Sequence, residues 1–160
     1  MRNNLFITFQ ENRKLTYDIL ECLEDKNLYQ KWERPGLDNF AKHFSEMASV
    51  VNAYTEAILT GNMDFSSVPD VFEFQGNESK IQLKKLLQES DSRLEAALAS
   101  AELKDEVFWY DMTLPLEIHL VNIISHEVLH QGMMIMALYK MGLTLPDSLV
   151  DNWSLPQVNG

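Results

Sequence analysis

The chain has 160 residues, a hydrophobic fraction of 46% and a formal net charge of −11. That length fits one domain with a sizeable core and leaves no room for two ordinary ones. The excess of 24 Asp and Glu over 13 Lys and Arg argues against nucleic acid and anionic lipid as partners, because both need a basic face.

The single cysteine, Cys22, rules out an intrachain disulfide. The opening Met1-Arg2-Asn3-Asn4-Leu5 lacks the apolar stretch and cleavage site of a secretory signal. No apolar run reaches the 18 or so residues of a membrane span. A cytoplasmic location is expected.

Apolar residues recur at helical spacing in four segments. The first runs from about 5 to 26, with Phe6, Phe9, Thr16, Ile19, Leu20 and Leu23 on one side. Arg34-Pro35-Gly36 then breaks the chain, and Asp38 or Asn39 can cap the next helix. That second helix spans about 40 to 60, with a stripe of Phe40, His43, Phe44, Met47, Val51, Tyr54 and Ile58. Gly61 suits its left-handed end. Residues 61–77 read as irregular. A third helix is predicted over about 78–101, burying Leu83, Leu87, Leu94, Leu98 and Ala101. Residues 103–113 are ambiguous, since Val107-Phe108-Trp109-Tyr110 suits a short strand or an aromatic plug. The fourth helix, about 115 to 141, opens on Thr113-Leu114-Pro115 with Pro at its first position. Its near-uniform apolarity predicts burial on more than one side, centrally or in a dimer interface. The tail, with Pro146, Trp153 and Pro156, is expected to pack over one end. Together these segments predict one all-α domain over 1–160, a four-helix bundle with long crossover loops.

The histidines interrupt this apolar pattern. His126 and His130 lie four apart, so they share one helix face about 6 Å apart along the axis. His43 lies within the stripe of the second helix and should point inward. Three neutral imidazoles with an open position would suit Zn, Ni, Cu or Fe(II). The alternative is a set of core histidines with no metal. His126-Glu127-Val128-Leu129-His130 also matches the zinc-protease string, but the downstream Glu or His ligand is missing, so a zincin protease is not expected. His119, Glu127 and Gln131 are candidates to hold the ligands from behind. Glu127 reads as such a support or as a solvent-facing acid. Cys22 reads as a small buried hydrophobe, and Met133, Met134, Met136 and Met141 as core or interface filler.

Four stretches carry a family resemblance. They are Phe40-Ala41-Lys42-His43-Phe44, then Thr60-Gly61-Asn62-Met63-Asp64-Phe65, then His126-Glu127-Val128-Leu129-His130-Gln131-Gly132, then Met141-Gly142-Leu143-Thr144-Leu145-Pro146. With these the chain resembles the DinB-like superfamily of bacterial proteins, from about Leu5 to Trp153. The resemblance implies a four-helix bundle that binds a divalent metal through His43, His126 and His130. Zn or Ni comes first, with Fe, Cu or Mn also compatible. It implies a homodimer and a small-molecule ligand, and for some members a low-molecular-weight thiol as cosubstrate. Some members are thiol S-transferases using bacillithiol or mycothiol, and one branch is a thiol-dependent maleylpyruvate isomerase. The family often has Gln where this chain has Met133. Two functions follow as expectations: a metal-dependent thiol S-transferase or related enzyme, and a non-catalytic stress-associated metal- or ligand-binding protein.

Overall fold

Two caps predicted from the sequence set the helix that carries His43. The Asn39 side chain accepts from the Lys42 amide at 3.0 Å, and Gly61 closes the other end at φ +82°. A side-chain oxygen before the first turn satisfies a backbone N–H that the helix cannot. A residue without Cβ takes the left-handed end without strain. The computed structural model describes residues 2–66, 68–70 and 76–158. Its elements are α1 (Arg2–Cys22), α2 (Asp25–Leu28), α3 (Phe40–Thr60), α4 (Lys80–Leu98), β1 (Glu106–Trp109), β2 (Met112–Pro115), α5 (Leu116–Lys140) and α6 (Asp147–Trp153).

The molecule is mostly helical. The four long helices pack in pairs, α3 on α4, α1 on α5, α3 on α5 and α1 on α4. The whole predicted stripe of α3 is buried. Among the described residues no helix is long and apolar enough to cross a membrane.

The structure departs from the expected elements in four places. The first helix stops at Cys22, and a short α2 restarts where the Glu24 amide donates to Asn27 Oδ1 at 3.1 Å. Cys22 is exposed rather than buried, because it falls off the stripe formed by Ile19, Leu20 and Leu23. Ala101 lies past the end of α4 and is exposed. Thr113 and Leu114 belong to strand β2, and Pro115 ends that strand as the N-cap of α5, one position before the first helical position expected for it. Ile118, Val121, Leu129 and Met136 of α5 are exposed, so one side of that helix is uncovered among the described residues, while the rest of it is buried in the bundle. The expected irregular stretch 61–77 lies partly outside the described residues.

Residues 103–113 serve both of the roles left open for them. β1 and β2 pair antiparallel with Trp109 opposite Met112, and the two turn residues Tyr110 and Asp111 have φ of 47° and 58°. That is the mirror-image turn whose twist suits a tight hairpin. Trp109 meanwhile packs on Tyr54 and Phe65, with ring centroids 6.5 and 5.8 Å away. The Phe108 amide donates to Gly61 O and the Met63 amide to Phe108 O, which ties the hairpin to the end of α3.

Two apolar clusters fill the interior. One gathers Leu15, Ile19, Leu20, Phe40, Phe44, Leu87, Leu138 and Leu149. The other gathers Phe9, Val51, Tyr54, Ile58, Leu94, Leu116 and Ile123. Between them along α1, α4 and α5 lie Arg13, Asp91, Glu127 and Gln131. All of these are buried except Asp91, whose side chain is 22% exposed.

Candidate metal centre

α3 and α5 run antiparallel, and each turns histidines toward the other. His43 Nδ1 lies 2.9 Å from His130 Nδ1, and His130 Nε2 lies 3.0 Å from His126 Nε2. The three rings predicted to converge thus form one continuous group, with His130 in the middle. Two nitrogens roughly 2.1 Å from one ion stand roughly 3.0–3.4 Å apart, so His126 and His130 suit one shared ion through their Nε2 atoms, while His43 lies against the opposite nitrogen of His130. A single ring gives one nitrogen to one ion, and the other nitrogen of His130 faces His43.

Glu46 completes the group. Its Oε1 lies 4.0 Å from His126 Nε2. Glu46, His126 and His130 each offer a donor atom within 4.8 Å of the others, a set that could hold a metal ion. The sequence reading missed this acid. The available signal was its position three residues after His43, on the same face of the helix.

Burial sets the charge state of the group. It pushes the imidazoles of His43 and His126 down to about 4, with Arg34 adding to the shift at His43 and Arg13 at His126. His130 is lowered further by burial and by its two histidine neighbours. All three rings are therefore neutral at pH 7, the form that ligates metal. Burial also raises the Glu46 carboxyl, partly offset by Arg34. Glu46 Oε2 is buried without a hydrogen-bond partner. An unpaired buried acceptor is costly, and a bound cation would satisfy it. The residues present fit a divalent metal.

The three supporting candidates lie in different places. Glu127 is buried, not solvent-facing, and accepts from the Thr16 hydroxyl. Its other oxygen lies 3.2 Å from Arg13 Nη1, and Arg13 Nε lies 3.0 Å from Asp91. Gln131 turns toward α1, where its Nε2 donates to Asn12 O at 2.7 Å and to Thr16 Oγ1 at 3.0 Å. These two therefore fix the packing of α5 against α1. His119 lies at the far end, against Tyr54 and Trp109 at 6.1 and 6.3 Å.

One wall of the centre is aromatic. Trp32, in the loop before α3, lies 5.5 Å from the His43 ring. It also borders an open groove of about 1000 Å³ along α5. Arg34 stands in the same groove, its guanidinium against the Met133 thioether.

No family model matches the chain, and no curated protein matches it. Among solved structures it is similar to a DinB-like protein from Bacillus cereus ATCC 10987. The TM-score is 0.65 at 20% identity, covering 90% of this chain and 95% of that one. The chain has a DinB-like fold.

Proposed function

We propose that the protein binds a divalent metal ion between α3 and α5, using the imidazoles of His43, His126 and His130 and the carboxylate of Glu46. The four long helices then serve as a four-helix bundle around one site. The observation that carries this reading is the grouping of Glu46, His126 and His130 donor atoms within 4.8 Å of one another, with the His43 ring packed against the far side of His130. The reaction we infer is metal-dependent transfer of a small thiol to an electrophile. A bound metal would lower the pKa of a thiol and make thiolate available near neutral pH. The chain's own part is to keep the imidazoles neutral, to exclude water with Trp32 and to orient a substrate in the adjoining groove.

Met133 favours a second reading, a non-catalytic metal- or ligand-binding protein. It stands in the groove where relatives often carry Gln, and a thioether is a poor hydrogen-bonding group. Two measurements separate the readings. Elemental analysis of the purified protein should show about one equivalent of metal, falling in His126→Ala and His130→Ala. Turnover of monochlorobimane with a low-molecular-weight thiol should then exceed that of both variants. Metal without turnover supports the binding reading. Absence of metal refutes the enzyme and the metal-binding form of the second reading, leaving only a small organic ligand. Chelation should also lower the melting temperature. A metal at about 100 times its Kd contributes roughly 2.7 kcal/mol, or roughly 5–10 °C at this size.

A further inference from the structure

The groove along α5 is apolar but for one guanidinium. Trp32, Val128, Leu129, Met133, Met136 and Ala137 line it. At its rim Glu33 and Lys140 pair at 3.4 Å and cancel. Among the described residues Arg34 makes no direct ion pair, with Glu46 as a more distant carboxylate in its field, and it rests on a thioether. A guanidinium facing an apolar groove without a direct ion pair stands out in a chain of net charge −11. Trp32, which lines the groove with Arg34, lies 5.5 Å from the His43 ring. The volume of about 1000 Å³ suits one small organic molecule. Leu129 and Met136 stay 59% and 66% exposed without it.

We propose that this groove binds an amphipathic organic anion, with its apolar body along Leu129, Met133 and Met136 and its carboxylate or sulfonate on Arg34. The guanidinium offers a planar fork that matches such oxygens. Burial of the apolar body supplies affinity, and the single charge sets its direction, head toward the histidines. The groove's service to the centre rests on the metal reading above. The binding itself does not.

Gly132 gives a way to close the groove without harming the fold. It is an exposed helical residue, and a Cβ placed there meets nothing within 4 Å. A side chain at this point enters the groove and also favours the helix.

The test is displacement of 1-anilinonaphthalene-8-sulfonate, followed by fluorescence, with decanoate and with decanol as the uncharged control. The full chain is measured with and without EDTA, and its mass is checked by light scattering. Saturable binding of one probe per chain is expected, with decanoate at least tenfold more effective than decanol. Arg34→Gln should erase that preference while decanol still competes. Gly132→Leu should abolish probe binding with an unchanged or higher melting temperature. Equal potency of decanoate and decanol overturns the proposal, as does a preference that survives Arg34→Gln. So does the absence of saturable binding, including the case in which a second copy of the chain covers the groove. Binding lost in EDTA would place the anion on the metal and also overturn it. A protein that holds no metal yet passes these tests refutes the metal reading alone.

Discussion

Arg13 is 2% exposed and sits between two carboxylates, Glu127 at 3.2 Å and Asp91 at 3.0 Å, with the Phe9 ring 5.0 Å from its guanidinium carbon. Arg13→Met keeps much of the length of the side chain and removes the charge. Glu127, 1% exposed, is then left without its cation. Removing one partner of a buried ion pair costs about 3–5 kcal/mol, mainly because the other charge stays buried and unpaired. Burial already raises both carboxyls against the pull of Arg13, so little reserve is left to hold them ionised. With an m-value of roughly 2 kcal/mol/M in urea, the unfolding midpoint should fall by roughly 2 M. Far-UV circular dichroism in EDTA measures it without interference from metal. Arg13→Met combined with Glu127→Met should be less damaging than the single change, since packed apolar groups can replace a buried pair at little cost. A midpoint shift under about 0.5 M for Arg13→Met refutes the reasoning. So would a double variant that costs the sum of the two singles.

The metal-free protein should lose stability in mild acid. His43 and His126 titrate near 6.5 when unfolded and near 4 when folded. Their contribution is complete above pH 6.5 and is lost as pH falls toward 4, at about 1.4 kcal/mol per pH unit for each histidine. A melting temperature no lower at pH 5 than at pH 7 would contradict this. Two glycines should respond with opposite signs. Gly61→Ala forces a Cβ onto φ +82° and should cost about 1 kcal/mol, while Gly132→Ala, in open helix, should gain about as much. Thermal melts read both, and equal signs would count against the assigned backbone. In the hairpin turn Asp111 holds φ 58°, so Asp111→Gly should raise the melting temperature by a degree or two, roughly 0.5 kcal/mol. A lowered value would refute that turn.

Much of this could be read from spacing alone. The α3 stripe and the shared face of His126 and His130 follow from a 3.6-residue period that places like residues on one face. The helix ends at Asn39 and Gly61 follow from capping chemistry. That His43 meets the pair is implied only by the family resemblance. The misses have physical reasons. Glu46 and Arg13 are charged, and a charged residue on an amphipathic helix reads as solvent-facing until its partner is known. That partner came from another helix in each case. Residues 103–113 were ambiguous because a four-residue strand is too short to show its period. Arg34 and Trp32 lie in a loop, where no periodicity tells which way a side chain points.

The hairpin fastens the C-terminal end of α3 to the N-terminal end of α5. Lys104 N–H donates to Ile58 O and Leu116 N–H to Asp105 O, both at 2.8 Å. Glu46 lies about 21 Å from that junction, His43 about 25 Å and His130 about 21 Å, at 1.5 Å per residue. The hairpin thus sets the angle between the two helices at one end, while the side chains of the proposed metal centre meet toward the other. A change of about 3° in that angle moves them by about 1 Å at that reach, enough to make or break a ligand set. Substitutions around Trp109 and Phe108, far from any donor atom, are thus a means of adjusting how the donor atoms of the centre are spaced.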